Sequence, residues 1–306
     1  MSETADPARP DRPTSAIVLR LFAALFATGL AICVHGAAAH AGTGQIVMMR
    51  AALSIPILLV WASFTAPPRD WLPRAPRSHL MRGLAGGSTM VLNFYALGQL
   101  PVAHAQTISY LAPVLSVPMA VILLGERLSV RAVFSVALGF AGMLAMLYTS
   151  VARPDWGWSE ISGMLAGLVS AGIMAWVRVH IRAMTATETV ISIALSFAVV
   201  AACMGALAVA FTGWTPMTPP LWAWLGGAGA LGAATHITAT EASARAAVLV
   251  LAPFDYAGLV FAVILDFALF AHLPGPWGAI GILLIATAGL ITVTRPRPEG
   301  AFLRLK

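Results

Sequence analysis

Charged residues are scarce in this chain of 306 residues: Asp, Glu, Lys and Arg make up 10%, whereas 59% of the residues are apolar and mean hydropathy is +0.86. A soluble protein carries roughly 25% charged residues, so most of this surface must face lipid rather than water. The net charge of +6 does not indicate nucleic acid, because the basic residues are divided among loops instead of forming one patch. We therefore expect an all-α integral membrane protein that has the lipid bilayer as a partner and binds no nucleic acid.

Cysteine is also rare, and the familiar catalytic motifs are missing. Cys33 and Cys203 both lie in apolar runs and provide neither a disulfide framework nor a metal or redox pair. The sequence lacks a GxSxG elbow, an HExxH zinc motif, a GxGxxG loop after a strand and a Walker phosphate loop. We expect no catalytic residues, no metal and no cofactor, and the chain by itself is not expected to hydrolyse ATP.

Long apolar runs fill most of the sequence. A helix that crosses about 30 Å of hydrocarbon needs about 20 mostly apolar residues, and ten runs have that length. The third and the eighth are the weakest, because they are rich in glycine and contain polar residues. The predicted spans are residues 16–36, 43–64, 80–99, 102–124, 130–149, 159–179, 188–211, 219–240, 246–270 and 276–294.

The positions of the basic residues predict the orientation of these spans. Lys and Arg collect on the cytoplasmic side of short loops. With both termini cytoplasmic, sixteen of the eighteen basic residues, including Arg82 and Arg178, fall on cytoplasmic segments. The exceptions are Arg153, in an outer loop, and Arg50, within the second span. A missed or added span would have reversed this alternation partway along the chain.

A short repeat divides the chain into two similar parts. The triplet Leu-Ala-Pro at 111–113 recurs 140 residues later at 251–253, and at the same offset Glu126 falls on Asp266. Five spans are an odd number, so a second copy must enter the membrane from the opposite side, as in many inverted-repeat transporters. The predicted organisation is a disordered cytoplasmic tail at 1–15, a first repeat at 16–149, an outer linker at 150–158, a second repeat at 159–294 and a cytoplasmic tail at 295–306.

Several motifs of the first half belong together. FYAL, the LP before the fourth span, LAP, LLGER and GFAGML follow one another, and Arg50 precedes them in the second span. In this order residues 43–149 resemble the EamA-type repeat of the drug/metabolite transporter (DMT) superfamily. The second half is less similar, since ILDFALF stands at the position of LLGER. The resemblance implies ten helices in two EamA repeats, a location in the bacterial inner membrane and secondary transport of small organic metabolites.

Ionisable residues inside spans are candidates for function, because burying one charge at a helix centre costs about 2.5–3.5 kcal/mol. Asp255 lies two residues beyond Pro253 and is the first candidate for proton coupling, followed by His104 and His236. The alternatives are a carboxylate permanently neutralised by Arg50 or another donor, and histidines that only form packing hydrogen bonds.

Other polar residues are candidates for contact with the substrate. Arg50 is expected either to bind a substrate carboxylate or to pair with an acid. The polar aromatic cluster of spans three and four cannot face lipid without cost, so it should line a cavity or bridge helices. Pro113 and Pro253 are expected to break their helices near the membrane centre, with a packing kink as the alternative. The expected substrate-binding residues are Arg50, Asn93, Tyr95, Gln99, Gln106, Tyr110 and Tyr256.

Together these patterns predict a secondary transporter that works by alternating access around a central polar site. We expect proton coupling and export of an amino-acid-derived or zwitterionic metabolite, a group that includes opine-type metallophores. Import of riboflavin or S-adenosylmethionine is the alternative, and an intramembrane lipid-modifying enzyme is a remote one. A homodimer is left open as the state of assembly.

Overall fold

The computed structural model describes residues 12–100, 108–126, 129–147, 157–270 and 275–293, and within these ranges the chain is helical without any strand. One broken segment, Val248–Phe270, is made of two α-helices joined by a 3-10 helix at Ala252–Tyr256. The α-helices are α1 (Pro13–Ala38), α2 (Thr43–Thr65), α3 (Pro76–Gln99), α4 (Leu111–Leu124), α5 (Val130–Leu147), α6 (Trp158–Met184), α7 (Val190–Thr212), α8 (Pro219–Arg245), α9 (Val248–Leu251), α10 (Ala257–Phe270) and α11 (Pro276–Val293).

The outside of the helix bundle is suited to lipid. Five described segments are long and apolar enough to cross a membrane, namely α1, α2, α6, α7 and residues 248–265, and α4, α5 and α11 are shorter apolar helices. Large apolar side chains point outward, with Phe64 85%, Phe211 84% and Ile122 78% exposed. In water such a surface would be strongly unfavourable, so the bundle is that of a multi-pass membrane protein. The polar helices α3 and α8 correspond to the two weakest predicted spans.

The main helix contacts join the first half of the chain to the second. The most extensive pairs are α1 with α8, α2 with α7, α3 with α6, and α5 with α11. In addition α4 packs on α6, and α10 packs on α1. Neighbouring helices within one half make far fewer contacts, so neither half has a separate core of its own.

Glycines allow the closest helix contacts. A Cβ atom on Gly205 of α7 would lie 2.4 Å from the backbone nitrogen of Met48 on α2, and one on Gly44 would lie 3.1 Å from the backbone nitrogen of Val209. Small residues let membrane helices approach until their backbones touch. The α2–α7 pair is therefore held by backbone proximity as well as by apolar side chains such as Leu58.

Two helices are interrupted beside a proline. Tyr110 forms a turn between the helical Ser109 and the start of α4, and Pro113 lies in the first turn of α4. Pro253 lies in the 3-10 helix between α9 and α10. Proline has no N–H, and its ring clashes with the carbonyl one turn earlier, which agrees with a break just before Pro113 and with the 3-10 geometry at Pro253. Both prolines are fully buried.

Hydrogen bonds show which helix ends lie at the same face of the bundle. The N–H of Arg12, before α1, donates to the carbonyl of Arg245, at the end of α8. Glu126, after α4, accepts from Val248 at the start of α9. We call this end the basic face, because α1, α3, α7 and α9 begin there and the exposed arginines Arg69, Arg74 and Arg77 lie there.

Candidate functional site

Asp255 is the centre of a buried ion cluster. Its position in the 3-10 helix turns the side chain towards α1 and α6, where Arg20 and Arg178 both form salt bridges with it. The Nε atom of Arg20 donates to Oδ1 at 2.6 Å. The Asp255 side chain is 8% exposed. The carboxylate thus joins a helix of the first half to two segments of the second half.

The charges of this cluster do not balance. Two guanidinium groups share one carboxylate, which leaves a net positive charge away from water. The expected alternative partner, Arg50, does not contact Asp255, so a donor other than Arg50 neutralises it.

A small cavity adjoins the cluster. It has a volume of about 10 Å³ and is lined by the ion cluster together with Ser243, Val248, Leu251 and Ala252. A space of this size holds about one water molecule. In this conformation the cavity can accept a solvent molecule or an ion, and a metabolite would need the surrounding helices to separate.

Tyr256 follows Asp255 in the 3-10 helix and contacts Tyr110 and α5 instead of α1 and α6. It is completely buried, its hydroxyl donates to the carbonyl of Tyr110 at 3.4 Å, and the two rings are stacked at a tilt with centroids 6.0 Å apart. A Cβ atom on Gly139 of α5 would lie 2.6 Å from the ring of Tyr256. The two tyrosines expected to contact substrate are thus brought together, next to the predicted helix breaks.

Arg50 and His236 lie in a second polar region, between α2, α3, α7 and α8. The Nη2 group of Arg50 donates to the sulfur of Met90 at 3.0 Å, and its buried Nε atom has no hydrogen-bond partner in the described ranges. The ring of His236 meets the ring of Phe197 edge-on at 4.6 Å between centroids. The other face of this region contains Arg82, whose guanidinium lies 3.9 Å from the centroid of the same Phe197 ring.

The remaining candidates from spans three and four are dispersed. Asn93 accepts a hydrogen bond from Ser109 at 3.2 Å, and Gln99 is half-buried beside Gly163. Of the two roles expected for Tyr95, lining a cavity or bridging helices, the structure shows the second, because its hydroxyl contacts Ser162 of α6 at 3.0 Å while the side chain is 47% exposed. Tyrosine near a helix end can keep its ring in lipid and its hydroxyl at a polar partner. Gln106 and His104 lie outside the described residues.

Two glutamates at the basic face accept hydrogen bonds from backbone N–H groups at the starts of helices. Glu126 accepts the N–H groups of Val248 and Leu249 at 2.9 and 3.2 Å. Gly125 ends α4 in the left-handed conformation at φ +65°, which turns the next residue towards α9. Negatively charged groups stabilise helix N-termini, and here the interaction joins the two halves of the chain.

Glu188, before α7, has the corresponding role at the start of α3. It accepts the N–H groups of Arg74 and Ala75 at 3.2 and 2.7 Å, and His79 lies 3.3 Å away. Burial by itself would raise the pKa of Glu188, but these backbone hydrogen bonds and His79 outweigh burial, and the pKa lies below its ordinary value. Glu188 is therefore ionised at neutral pH.

Three arginines of these sites were not among the predicted site residues. Arg20, Arg82 and Arg178 were counted as cytoplasmic charges near the ends of their predicted spans, whereas the structure buries most of each side chain inside the bundle, with Arg82 only 4% exposed. One signal was available for Arg20 and Arg178, since each lies among apolar neighbours in its run. Among the residues that the structure describes, no group of three His, Cys, Asp or Glu residues could hold a metal ion.

A multi-pass helical bundle with buried ion clusters between its halves is the architecture of a membrane transporter. Residues 14–148 match the family described as "EamA-like transporter family". The first half of the chain is thus similar to EamA-like transporters, in agreement with the resemblance of its sequence motifs.

The chain is also similar to individual proteins over most of its length. It is 24% identical over 276 residues to the pseudopaline exporter CntI of Pseudomonas aeruginosa, in strains UCBPP-PA14 and PAO1, and the match covers 90% of this chain and 94% of that exporter. A crystal structure with 21% sequence identity superposes with a TM-score of 0.77, covering 92% of this chain and 96% of the other. The last comparison concerns the fold alone.

Proposed function

We propose that this chain exports a small organic metabolite across the bacterial inner membrane by alternating access. The observation that carries the proposal is the ion cluster of Asp255, Arg20 and Arg178, which joins the two halves beside an interrupted helix and a small cavity. A buried ion cluster between two packed bodies is the kind of contact that can open and close as they move.

The helix contacts support two inverted repeats, residues 16–149 and 159–294. If the second half repeats the first, α1 and α3 correspond to α6 and α8. The counterpart of the α1–α8 pair is then the α3–α6 pair, and both pairs are among the most extensive contacts. The pairs α2 with α7 and α5 with α11 are their own counterparts. Such a pattern is expected when two similar bodies are related by an axis in the membrane plane.

Export is favoured over import by the similarity to the pseudopaline exporter along 90% of this chain. The charge rule places the basic face in the cytoplasm, and the ion cluster is then about 10 Å from that side, given 1.5 Å per helical residue. Asp255 is proposed as the group that binds and releases a proton during the cycle. Import of riboflavin or S-adenosylmethionine is the alternative, and the match of the first half to a transporter family speaks against an enzyme.

Transport can be measured with the purified chain in liposomes, under an imposed pH gradient and with a panel of labelled metabolites. A transporter moves a compound unchanged, whereas an enzyme produces a covalent product. Asp255→Asn is expected to abolish accumulation against a gradient, and Asp70→Asn, which changes an acid outside the cluster, is expected to retain it. If Asp255→Asn accumulates substrate as well as the unaltered chain does, proton coupling through Asp255 is wrong.

A further inference from the structure

The buried Arg82 has no acidic partner among the residues that the structure describes. It belongs to α3 and is 4% exposed, and within that part of the chain its Nε and Nη1 atoms have no hydrogen-bond partner. Its guanidinium packs over Phe197, a contact that contributes about 0.5–2 kcal/mol. A flat ring satisfies the charge in part but accepts no conventional hydrogen bond, so the donors of Arg82 remain available.

The acid of this region, Glu188, is already engaged. Its oxygens accept the backbone N–H groups of Arg74 and Ala75 and the hydroxyl of Ser192. The described part of the chain contains no ion pair between an acid and either Arg82 or Arg50. This distinguishes the region from the cluster at Asp255, where a carboxylate is built in.

Arg50 and His236 extend this positive region along the bundle. Among the described residues Arg50 has only the sulfur of Met90 as a hydrogen-bond partner, and both Arg50 and Arg82 lie close enough to act electrostatically on His236. From the helix ends at the basic face, the Cα atoms of Arg82, His236 and Arg50 lie at depths of about 9, 14 and 22 Å. The three groups are thus spaced along the direction in which a substrate would move.

We infer that Arg82, His236 and Arg50 bind the anionic groups of the transported metabolite, and that this metabolite carries carboxylates. The inference rests on the proposed transport function and names its substrate class. Guanidinium groups bind carboxylates through paired, charge-assisted hydrogen bonds, which would satisfy the donors that the protein leaves open. S-adenosylmethionine has a single carboxylate and a net positive charge, and riboflavin has no carboxylate, so neither compound neutralises the two arginines.

Thermal unfolding of the purified full-length chain in detergent tests this assignment, since a ligand that binds only the folded state raises Tm. Succinate is the probe, neutral succinamide of the same shape is the control, and ionic strength is held constant with NaCl. We expect a saturable rise in Tm with succinate and none with succinamide. Inorganic phosphate forms a third arm, and a larger rise with phosphate than with succinate overturns the carboxylate assignment.

Variants test whether the rise in Tm with succinate depends on these arginines. Arg82→Gln is expected to raise the apparent Kd for succinate about tenfold or more, the usual effect of losing hydrogen bonds to a charged group. Arg77→Gln, five residues earlier in the same helix and exposed, is the matched control and should bind as the unaltered chain does. If Arg82→Gln does not fold, Arg50→Gln provides the same test.

The inference is wrong if succinate and succinamide act alike on the unaltered chain, or if the arginine variants bind succinate normally. The outcome is separable from that of the transport assay. A chain that moves a metabolite in liposomes but does not respond to succinate retains the transport function and loses this site. A chain that shows no flux but binds succinate through Arg82 retains the site and loses the transport function.

Discussion

The carboxylate of Glu126 accepts a hydrogen bond from the backbone N–H of Val248 at 2.9 Å. This contact connects the end of α4 to the start of α9, which precedes the interrupted segment with Asp255. Because the position of α9 determines the position of Asp255, a glutamate outside the ion cluster can influence it.

Glu126→Gln is expected to lower stability by about 0.5–2 kcal/mol, the usual range for loss of a capping interaction. The amide retains one acceptor but loses the negative charge that favours a helix N-terminus. The measurement is the Tm of the purified protein in detergent. Glu160→Gln, an acid whose hydrogen bonds are local to the start of α6, should leave Tm almost unchanged, and an equal loss in both variants would contradict the capping role.

The charge imbalance of the ion cluster predicts that substitutions of its three members lower stability by different amounts. Asp255→Asn leaves two buried cations without a counter-ion and is expected to cost about 3–5 kcal/mol, the typical loss when a buried pair is broken. Arg20→Gln or Arg178→Gln leaves one cation paired with one carboxylate and should cost less. Thermal unfolding of the three single variants gives the order, and an arginine variant less stable than Asp255→Asn would contradict the charge imbalance.

Glu188 predicts a pH dependence of stability. Its pKa is lowered in the folded protein, so its contribution is present above the unfolded pKa of about 4.3 and is lost as pH falls through the lower folded value. The difference in Tm between the unaltered chain and Glu188→Gln should be largest near neutral pH and shrink below about pH 4. A difference that stays constant on acidification would show that Glu188 contributes only through its shape.

Helix contact at Gly205 predicts a steric effect. In Gly205→Ala the new Cβ would lie 2.4 Å from the backbone nitrogen of Met48, so α2 and α7 must separate, and we expect a fall in Tm and in transport. Gly226→Ala, in α8, meets no atom within 4 Å. Alanine favours a helix by about 1 kcal/mol over glycine, so this control should be neutral or stabilised.

The fold could be largely anticipated because hydropathy and length determine where a membrane helix lies. Eight of the predicted spans correspond to single helices, although α3 begins at Pro76 instead of residue 80, since proline is favoured in the first helical turn. The ninth predicted span, residues 246–270, is divided into α9, a 3-10 helix and α10. The Leu-Ala-Pro triplet marked the place of this division but not its extent.

The site was harder to predict, because partners depend on helix rotation and on side-chain reach. Asp255 was recognised as an ionisable group in a span, but its pairing with Arg20 and Arg178 requires knowing how α1 and α6 pack. Arg82 was counted with the cytoplasmic charges, whereas its guanidinium is buried against the ring of Phe197. Tyr95 was expected to line a cavity or to bridge helices, and only the structure shows that it bridges α3 to Ser162 of α6.

Asp255 and Tyr256 are consecutive residues of one short 3-10 helix that are bound to opposite neighbours. Asp255 is held by α1 and α6, and Tyr256 is held by Tyr110 and packs against α5. Because one peptide unit joins them, a rotation that withdraws the carboxylate from its arginines also shifts the tyrosine ring. In the proposed transport cycle we therefore expect this 3-10 helix to couple the breaking of the ion pairs at Asp255 to a shift of the Tyr256 ring against α5.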